Sequence, residues 1–341
     1  MSGRAALRLG LASLAAIHLA ALGAGFLAPY GPTEQNRSLA YAPPTRLRFV
    51  DAEGRFHLRP VVHPLARSGP GGAYEEDRRR SYPLLFLVRD APDVAGAPAG
   101  RLHLFGVEEP ARVFLLGTDG FGRDQLSRLL HGARISLFAG LLATVLSLGV
   151  GWLLGTLAGY YGRWLDSVLM RCAELFLALP WLYLLFAVRA VLPLHVSPGQ
   201  AFLLLVLVIG LVDWARPARL VRGVVLSARE RSYVLAARGF GASDLYLIRR
   251  HIAPQTFGLL LTQAALLAPQ YILAEVTLSF LGLGVSEPVP SWGNMLAALQ
   301  HYHVLASYWW MWLPGLALVP VFLAYYALSE ALHSRAGPTS P

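Results

Sequence analysis

Residues 233 to 254 read YVLAARGFGASDLYLIRRHIAP, a charged, glycine-broken stretch between long uncharged runs. Tyr233, Ala236, Ala237 and Phe240 recur at i, i+3, i+4 and i+7, the spacing of one helical stripe. Gly239 and Gly241 then favour a break. Ser243 is placed to cap a second helix, with Asp244 in its first turn, where a negative charge suits the helix dipole. The second stripe is expected on Leu245, Ile248 and Ile252, and Pro254 opens the next segment. The reading is two short helices joined at a corner. Small side chains at Ala236 and Ala237 let a partner's groove approach the backbone, and the flanking Arg residues supply a charged rim. A basic amphipathic helix lying on anionic lipid is the competing reading. Lipid binding alone requires neither the glycine elbow nor the closing proline.

The surroundings have the composition of a membrane protein. Of 341 residues, 14% are charged and 55% hydrophobic, with a mean hydropathy of +0.49, against roughly 25% charged in ordinary soluble domains. All 29 basic residues are Arg, a coding bias from which no function follows. The net charge of +9 is unevenly placed: residues 215 to 251 hold eight Arg against Glu230 and Asp244, while residues 30 to 132 hold fourteen Arg against twelve acids. An excess confined to one short loop fits a cytoplasmic loop under the positive-inside rule and argues against nucleic-acid binding. The single Cys172 excludes intramolecular disulfides and cysteine-based zinc sites.

A bilayer-crossing helix needs about 20 mostly apolar residues, and six stretches meet that need. They are roughly 9–28, Ile135 to Gly159, 167–192, 198–214, 256–281 and 308–332, the last opening on the interfacial cluster YWWMW. The first also fits a cleavable signal peptide, with Arg near its start and ALGAG near its end, but its apolar run exceeds the usual length of about 7–15 residues and favours a retained anchor. With Arg4 and Arg8 inside, six spans return the C-terminus to the cytoplasm and place the opening stretch there too. The expected fold class is an all-α polytopic membrane protein with six transmembrane helices and a small β-rich external insertion between the first two. RLRFVDAEGRFHLRPVV reads as a hairpin turning at Asp51 to Gly54; YPLLFLVR and RLHLFGV add strands, and RSGPGGAYEEDRRRS reads as an exposed loop. The expected organisation is an anchor helix over 1–29, the insertion over 30–114, a core over 115–335 with a cytoplasmic loop at 228–254, and a tail over 336–341.

Enzyme chemistry finds no foothold. The GxxxxGK[ST], HExxH and GxSxG patterns are absent, and GTDGFG at 117–122 fits a turn better than a phosphate loop. His301 and His303 stand together in an expected external loop, where surface histidines are the simpler account than a metal site. No cofactor and no metal site is expected. Glu275 is the intramembrane acid of most interest, because an ionisable group at depth faces a protein interior or an aqueous path. Glu174 and Asp213 lie near span ends, where pairing or solvation accounts for them. Gln263, Gln270 and Glu275 are candidates for lining a translocation path, with helix-to-helix hydrogen bonding as the alternative. Pro269 is expected to kink that span.

The segment LAARGFGASDLYLIRRHIAP resembles the EAA loop of ABC importer permeases, with Ala236, Ala237, Gly241 and Pro254 on its spacing, Leu235 in place of its Glu and Ala253 in place of its Leu. LLGTDGFGRDQLSRLLHGARISL (115–137), LAGYYGRWLDSVLMR (157–171) and LSFLGLGVSEPVPSWGNML (278–296) are similar, in order, to segments of the dipeptide, oligopeptide and nickel importer branch. Together they cover about 115 to 335. The resemblance implies a transport subunit rather than an enzyme, working with a second permease, two ABC ATPase subunits and an external substrate-binding protein. The ATPase contact falls on Tyr233, Ala236, Ala237, Arg238, Gly241, Ala242, Ser243 and Asp244. Pro288, Pro290 and Trp292 are candidates for touching the binding protein. A stand-alone secondary transporter would show internal repeats and discontinuous helices, and no repeat is found. An intramembrane enzyme would need a nucleophile or metal constellation, which is missing.

Overall fold

The structure, a computed structural model, describes residues 3–51, 53–67, 73–89, 100, 102–191, 193 and 196–336. In chain order, helices α1 (Gly3–Leu22) and α2 (Ala24–Leu27) precede strands β1 (Arg48–Val50), β2 (Phe56–Val62), β3 (Leu65–Arg67), β4 (Tyr74–Glu76), β5 (Tyr82–Pro83), β6 (Leu85–Arg89) and β7 (Leu102–Gly106). Then come α3 (Gln125–Tyr161), α4 (Arg163–Ala178), α5 (Trp181–Val191), α6 (Pro198–Val212), α7 (Ala215–Arg229), α8 (Ser232–Gly239), α9 (Asp244–Leu247), α10 (Ala253–Phe280), α11 (Trp292–Ala297), α12 (Tyr302–Ser307) and α13 (Leu313–Ala336). The chain forms two compact units: Met1–Ala15 with Leu137–Leu278 and Val319–Pro341, and Ala16–Ser136 with Ser279–Leu318.

Among the described residues three helices are long and apolar enough to cross a membrane: Gln125–Tyr161, Asp244–Phe280 and Trp309–His333. Two bent pairs, α4 with α5 at 93° and α6 with α7 at 46°, raise the number to five if each pair is one span; the apolar stretch Leu7–Leu22 is shorter. The stretch expected as a span over 167–192 is thus broken within its length. Leu179 is extended at φ −90° and ψ 138°, because a residue followed by proline is driven out of the helical region, and Pro180 starts the new direction. The start of α6 is fixed locally: Ser197 caps it in a capping box with Gln200, and Pro198 occupies the first turn, where its missing N–H costs nothing. Helix α10 runs through Pro269 without ending.

In the first unit, α3 and α7 pack backbone to backbone. A Cβ added at Gly155 would stand 2.4 Å from the Ala218 carbonyl oxygen, so only glycine permits this approach. Gly151 and Gly159 repeat the feature one turn to either side, against Pro217 and Val225. Close approach of small residues is how helices gain contact where lipid offers no hydrophobic drive. Buried polar groups are matched in kind: the Tyr271 hydroxyl donates to Asp213 Oδ2 at 3.0 Å and sits 2.9 Å from Ser147 Oγ.

The second unit holds the strands. β1, β2 and β5 form one antiparallel sheet in the order β1-β2-β5, β3 pairs with β4, and β6 pairs with β7. Asp51 organises the β1–β2 turn by accepting from the backbone N–H groups of Glu53 and Arg55 and bonding the His57 ring, while Gly54 takes φ +79°. The stretch expected as a loop before β5 contributes β3 and β4 on its flanks, and residues 68–72 lie outside the described ones. The GTDGFG turn is held by Asp119, whose Oδ1 accepts from the N–H groups of Phe121 and Arg123.

Candidate functional site

Residues 228–254 build an elbow in the first unit, and its corner is a complete helix stop. Gly241 takes φ +85°, and two bonds close the end of α8: Gly241 N–H to the Arg238 carbonyl at 2.9 Å and Ala242 N–H to the Ala237 carbonyl at 3.1 Å. This is the Schellman pattern, which needs a left-handed residue just past the helix. Ser243 then accepts from the Tyr246 N–H at 3.4 Å and starts α9.

From α9 the chain passes into α10 through a π-helical turn over Ile248–Ile252, closed by the Ala253 N–H on the Ile248 carbonyl. Pro254 supplies the reason: it has no N–H to give, and its ring crowds the carbonyl four residues back, so the ladder widens upstream. The wide turn shifts the register. Leu247 and Ile252, five residues apart, are both fully buried, whereas Leu245 faces outward. The expected second stripe on Leu245, Ile248 and Ile252 is thus corrected at its first position.

The first stripe is also oriented by what it leaves free. Val234 is buried with Leu247, Ile252, Tyr160, Val221, Val225 and Ala228, and Ala237 and Ala242 pack against that cluster. Ala236 is exposed, as are Tyr233, Leu235, Leu245 and Tyr246, and Phe240 is 92% exposed. The elbow therefore stands on one apolar face and presents another. Val234, Leu247 and Tyr160 are the anchors that periodicity missed; five-residue spacing belongs to no regular helix pattern.

Polar contacts fasten the corner to the end of α3. The Tyr160 hydroxyl donates to Asp244 Oδ1 at 2.6 Å and accepts from Arg238 Nη2 at 3.1 Å, bringing both helices of the elbow to one oxygen. That bond raises the Arg238 pKa above its ordinary value. Arg229 donates to the Gly159 and Tyr160 carbonyls, satisfying the open C-terminal end of α3. Tyr233 accepts from Gln255 Nε2, and its ring lies 5.8 Å from that of His251.

On α10, Gln263 is half-buried and Gln270 exposed; seven residues apart, they share one face with Leu266 and Leu273. Glu275 is fully buried and lies on a different side of the helix. In the second unit Trp292 is 3% exposed, with its Nε1 donating to the Leu129 carbonyl, and Pro290 is buried, so Pro288 alone of the three offers a surface. Beside it Glu287 bridges two buried guanidiniums, accepting from Arg123 Nη1 at 2.6 Å and Arg128 Nη2 at 2.7 Å. Among the described residues, no group of three or more His, Cys, Asp or Glu is placed to hold a metal ion.

Residues 151–337 match the family of the binding-protein-dependent transport system inner membrane component. The di/tripeptide transport system permease protein DppC of Pseudomonas aeruginosa is 40% identical over 225 residues, covering 66% of this chain and 72% of its own. The dipeptide transport system permease protein DppC of Bacillus subtilis is 35% identical over 230 residues, covering 67% and 70%. Among solved structures, the MetNI methionine ABC transporter in inward-facing conformations has 17% identity and a TM-score of 0.44, covering 60% of this chain and 95% of that one. On the sequence matches, the chain belongs to the binding-protein-dependent transport system inner membrane component family. It is a permease subunit of an ABC importer, in the branch that holds the peptide permeases. The bent helix pairs are a feature that a secondary transporter would also carry; the family match, not the bends, separates the two readings.

Proposed function

We propose that this permease carries short peptides, and that the elbow is the joint through which separate ATPase subunits move it. The supporting observation is the two-sided elbow: Val234, Leu247 and Ile252 hold it to the bundle while Ala236, Phe240 and Leu245 stay open to a partner. In this reading the elbow is cytoplasmic, six spans place both termini on the same side, and residues 30–114 are an external insertion. The partners are a second permease in a heterodimer, two ABC ATPase subunits and an external binding protein. ATP hydrolysis belongs to those subunits and the chain itself is not an enzyme.

Force applied at the exposed face has two exits. Through Tyr160 and Arg229 it reaches the end of α3, and through the π turn it enters α10. Both helices would then tilt as rigid bodies between two access states. Gln263 and Gln270 lie on the outer face of α10, and amide groups facing hydrocarbon are costly. That face is therefore assigned to the partner permease and the water-filled path between them. Glu275 is the third path candidate, from the buried side. Pro288, next to the Glu287 bridge, is the proposed contact for the binding protein, with Pro290 and Trp292 holding the loop behind it.

Ala236→Glu puts a charge on the open face without touching the buried cluster. The expected outcome is an inserted subunit of unchanged melting behaviour that no longer co-purifies with the ATPases, as for loss of about 2–4 kcal/mol at an interface hot spot. Normal recovery of ATPase subunits and normal peptide uptake by this variant would remove the elbow from the docking role.

A further inference from the structure

The second unit carries an apolar feature that coupling and transport leave unused. The β6–β7 ribbon exposes Phe86 at 58%, Leu87 at 59% and also Leu102. In the ribbon Phe86 stands across from Phe105 and Leu102 across from Arg89, so bare apolar groups occur at both of its ends. What they contact follows from where the ribbon is fixed. Strand β7 packs against α2, and His103 Nδ1 lies 2.5 Å from the Ala28 carbonyl oxygen just past α2, the short helix that follows the end of α1.

Arg134 fixes the depth of that end. Its guanidinium donates to the Ala21 carbonyl at 2.6 Å and to the Leu22 carbonyl, the open C-terminal groups of α1. The sequence is uncharged from Ile135 to Gly162, so Arg134 is also the last charge before the long apolar run of α3. An Arg at the edge of an apolar run sits at the headgroup level, where its charge stays hydrated. The exposed side chains Leu19, Leu22 and Phe26 carry the apolar surface of α1 and α2 up to this level, and the ribbon begins there.

We propose that the β6–β7 ribbon is a membrane-interface anchor, laying Phe86, Leu87 and Leu102 into the headgroup region of the bilayer beside the end of α1. This rests on the reading of α1 as a membrane span. The depth is limited by the backbone. A two-stranded ribbon has unpaired N–H and C=O groups along both outer edges, and such groups are not tolerated in hydrocarbon. Headgroup water satisfies them while the side chains reach the acyl boundary, as interfacial aromatic and aliphatic groups do. The anchor would hold the strand-bearing segment against the membrane surface instead of leaving it to pivot on α2.

The test uses the full chain in phosphatidylcholine vesicles. Cys172 is first replaced by Ser, and Phe86→Cys or Leu102→Cys is labelled with an environment-sensitive fluorophore. Nitroxides are placed either near the lipid headgroup or deep in the acyl chain. The expected result is blue-shifted emission, quenched more by the shallow nitroxide than by the deep one, at both sites. Water-like emission without quenching overturns the anchor. So does emission that shifts only when the binding protein is added, which would make the ribbon a protein-docking surface. A label at Leu19→Cys tests the span reading separately, since quenching there by the deep nitroxide is required of a spanning α1. Quenching at Leu19 without quenching at Phe86 defeats the anchor alone, whereas quenching at Phe86 without quenching at Leu19 defeats the span reading and, with it, the placement of the anchor beside a spanning α1.

Discussion

The elbow over 233–254 and the loop over 285–292 carry the same sequence cues for a contact surface, namely small or cyclic residues, an aromatic side chain and nearby charge, yet they point them in opposite directions. In the elbow Phe240 is almost bare and the anchors are plain aliphatics. In the loop Trp292 and Pro290 are buried, and the accessible residues are Glu287 and Pro288. The difference comes from what each segment is tied to. Three polar contacts to Tyr160 and the α3 end hold the elbow from one side only. The loop is gripped from within: Glu287 bridges Arg123 and Arg128, and Asn294 donates to the Val285 and Val289 carbonyls. A segment held on one side can be pushed, whereas one bonded through its middle transmits contact without yielding.

Three substitutions test that contrast. The largest effect is expected from Leu247→Ala, which empties a fully buried site at the elbow's root and costs about 4 kcal/mol in the range for such cavities. Faster amide hydrogen exchange over 232–252, with the rest of the bundle unchanged, is the signature to look for; uniform loosening would mean that the elbow is not a separable joint. Glu287→Ala is next. It leaves two buried guanidiniums sharing the Asp119 carboxylate and is expected to cost about 3 kcal/mol, the low end for a broken buried pair because Glu287 is itself half-exposed. A denaturant titration in mixed micelles reads this directly. Unchanged stability with lost binding-protein stimulation would turn the loop from a brace into a docking surface. Phe240→Ser should leave melting untouched and weaken ATPase association about tenfold, or 1.4 kcal/mol. A melting shift in that variant would contradict its outward position.

Much of this architecture was legible because it is local. Ser243 caps where the sequence sets a Ser before Asp, Gly241 turns where it sets a glycine break, and the β1–β2 turn falls at Asp51 to Gly54. Each depends on bonds spanning a handful of residues. The 93° break at Pro180 was open to the same kind of reading, since the residue before a proline leaves the helical region, but a long apolar run conceals it. The inward turn of Trp292 had no local signal. Its partners are Leu129 and Ser136, more than 150 residues earlier in the chain.

By itself, the sequence determined a lipid-embedded helical chain, the order of its apolar runs, a glycine-cornered loop between two of them and the importer family that this loop marks. Tertiary structure alone decided which side of each segment is free. A widened turn before Pro254 sends Leu247 inward and Leu245 outward, and Arg123 meets Glu287 across 164 positions. Periodicity records that a helix has two faces, and only the neighbours brought by folding select the one that is covered.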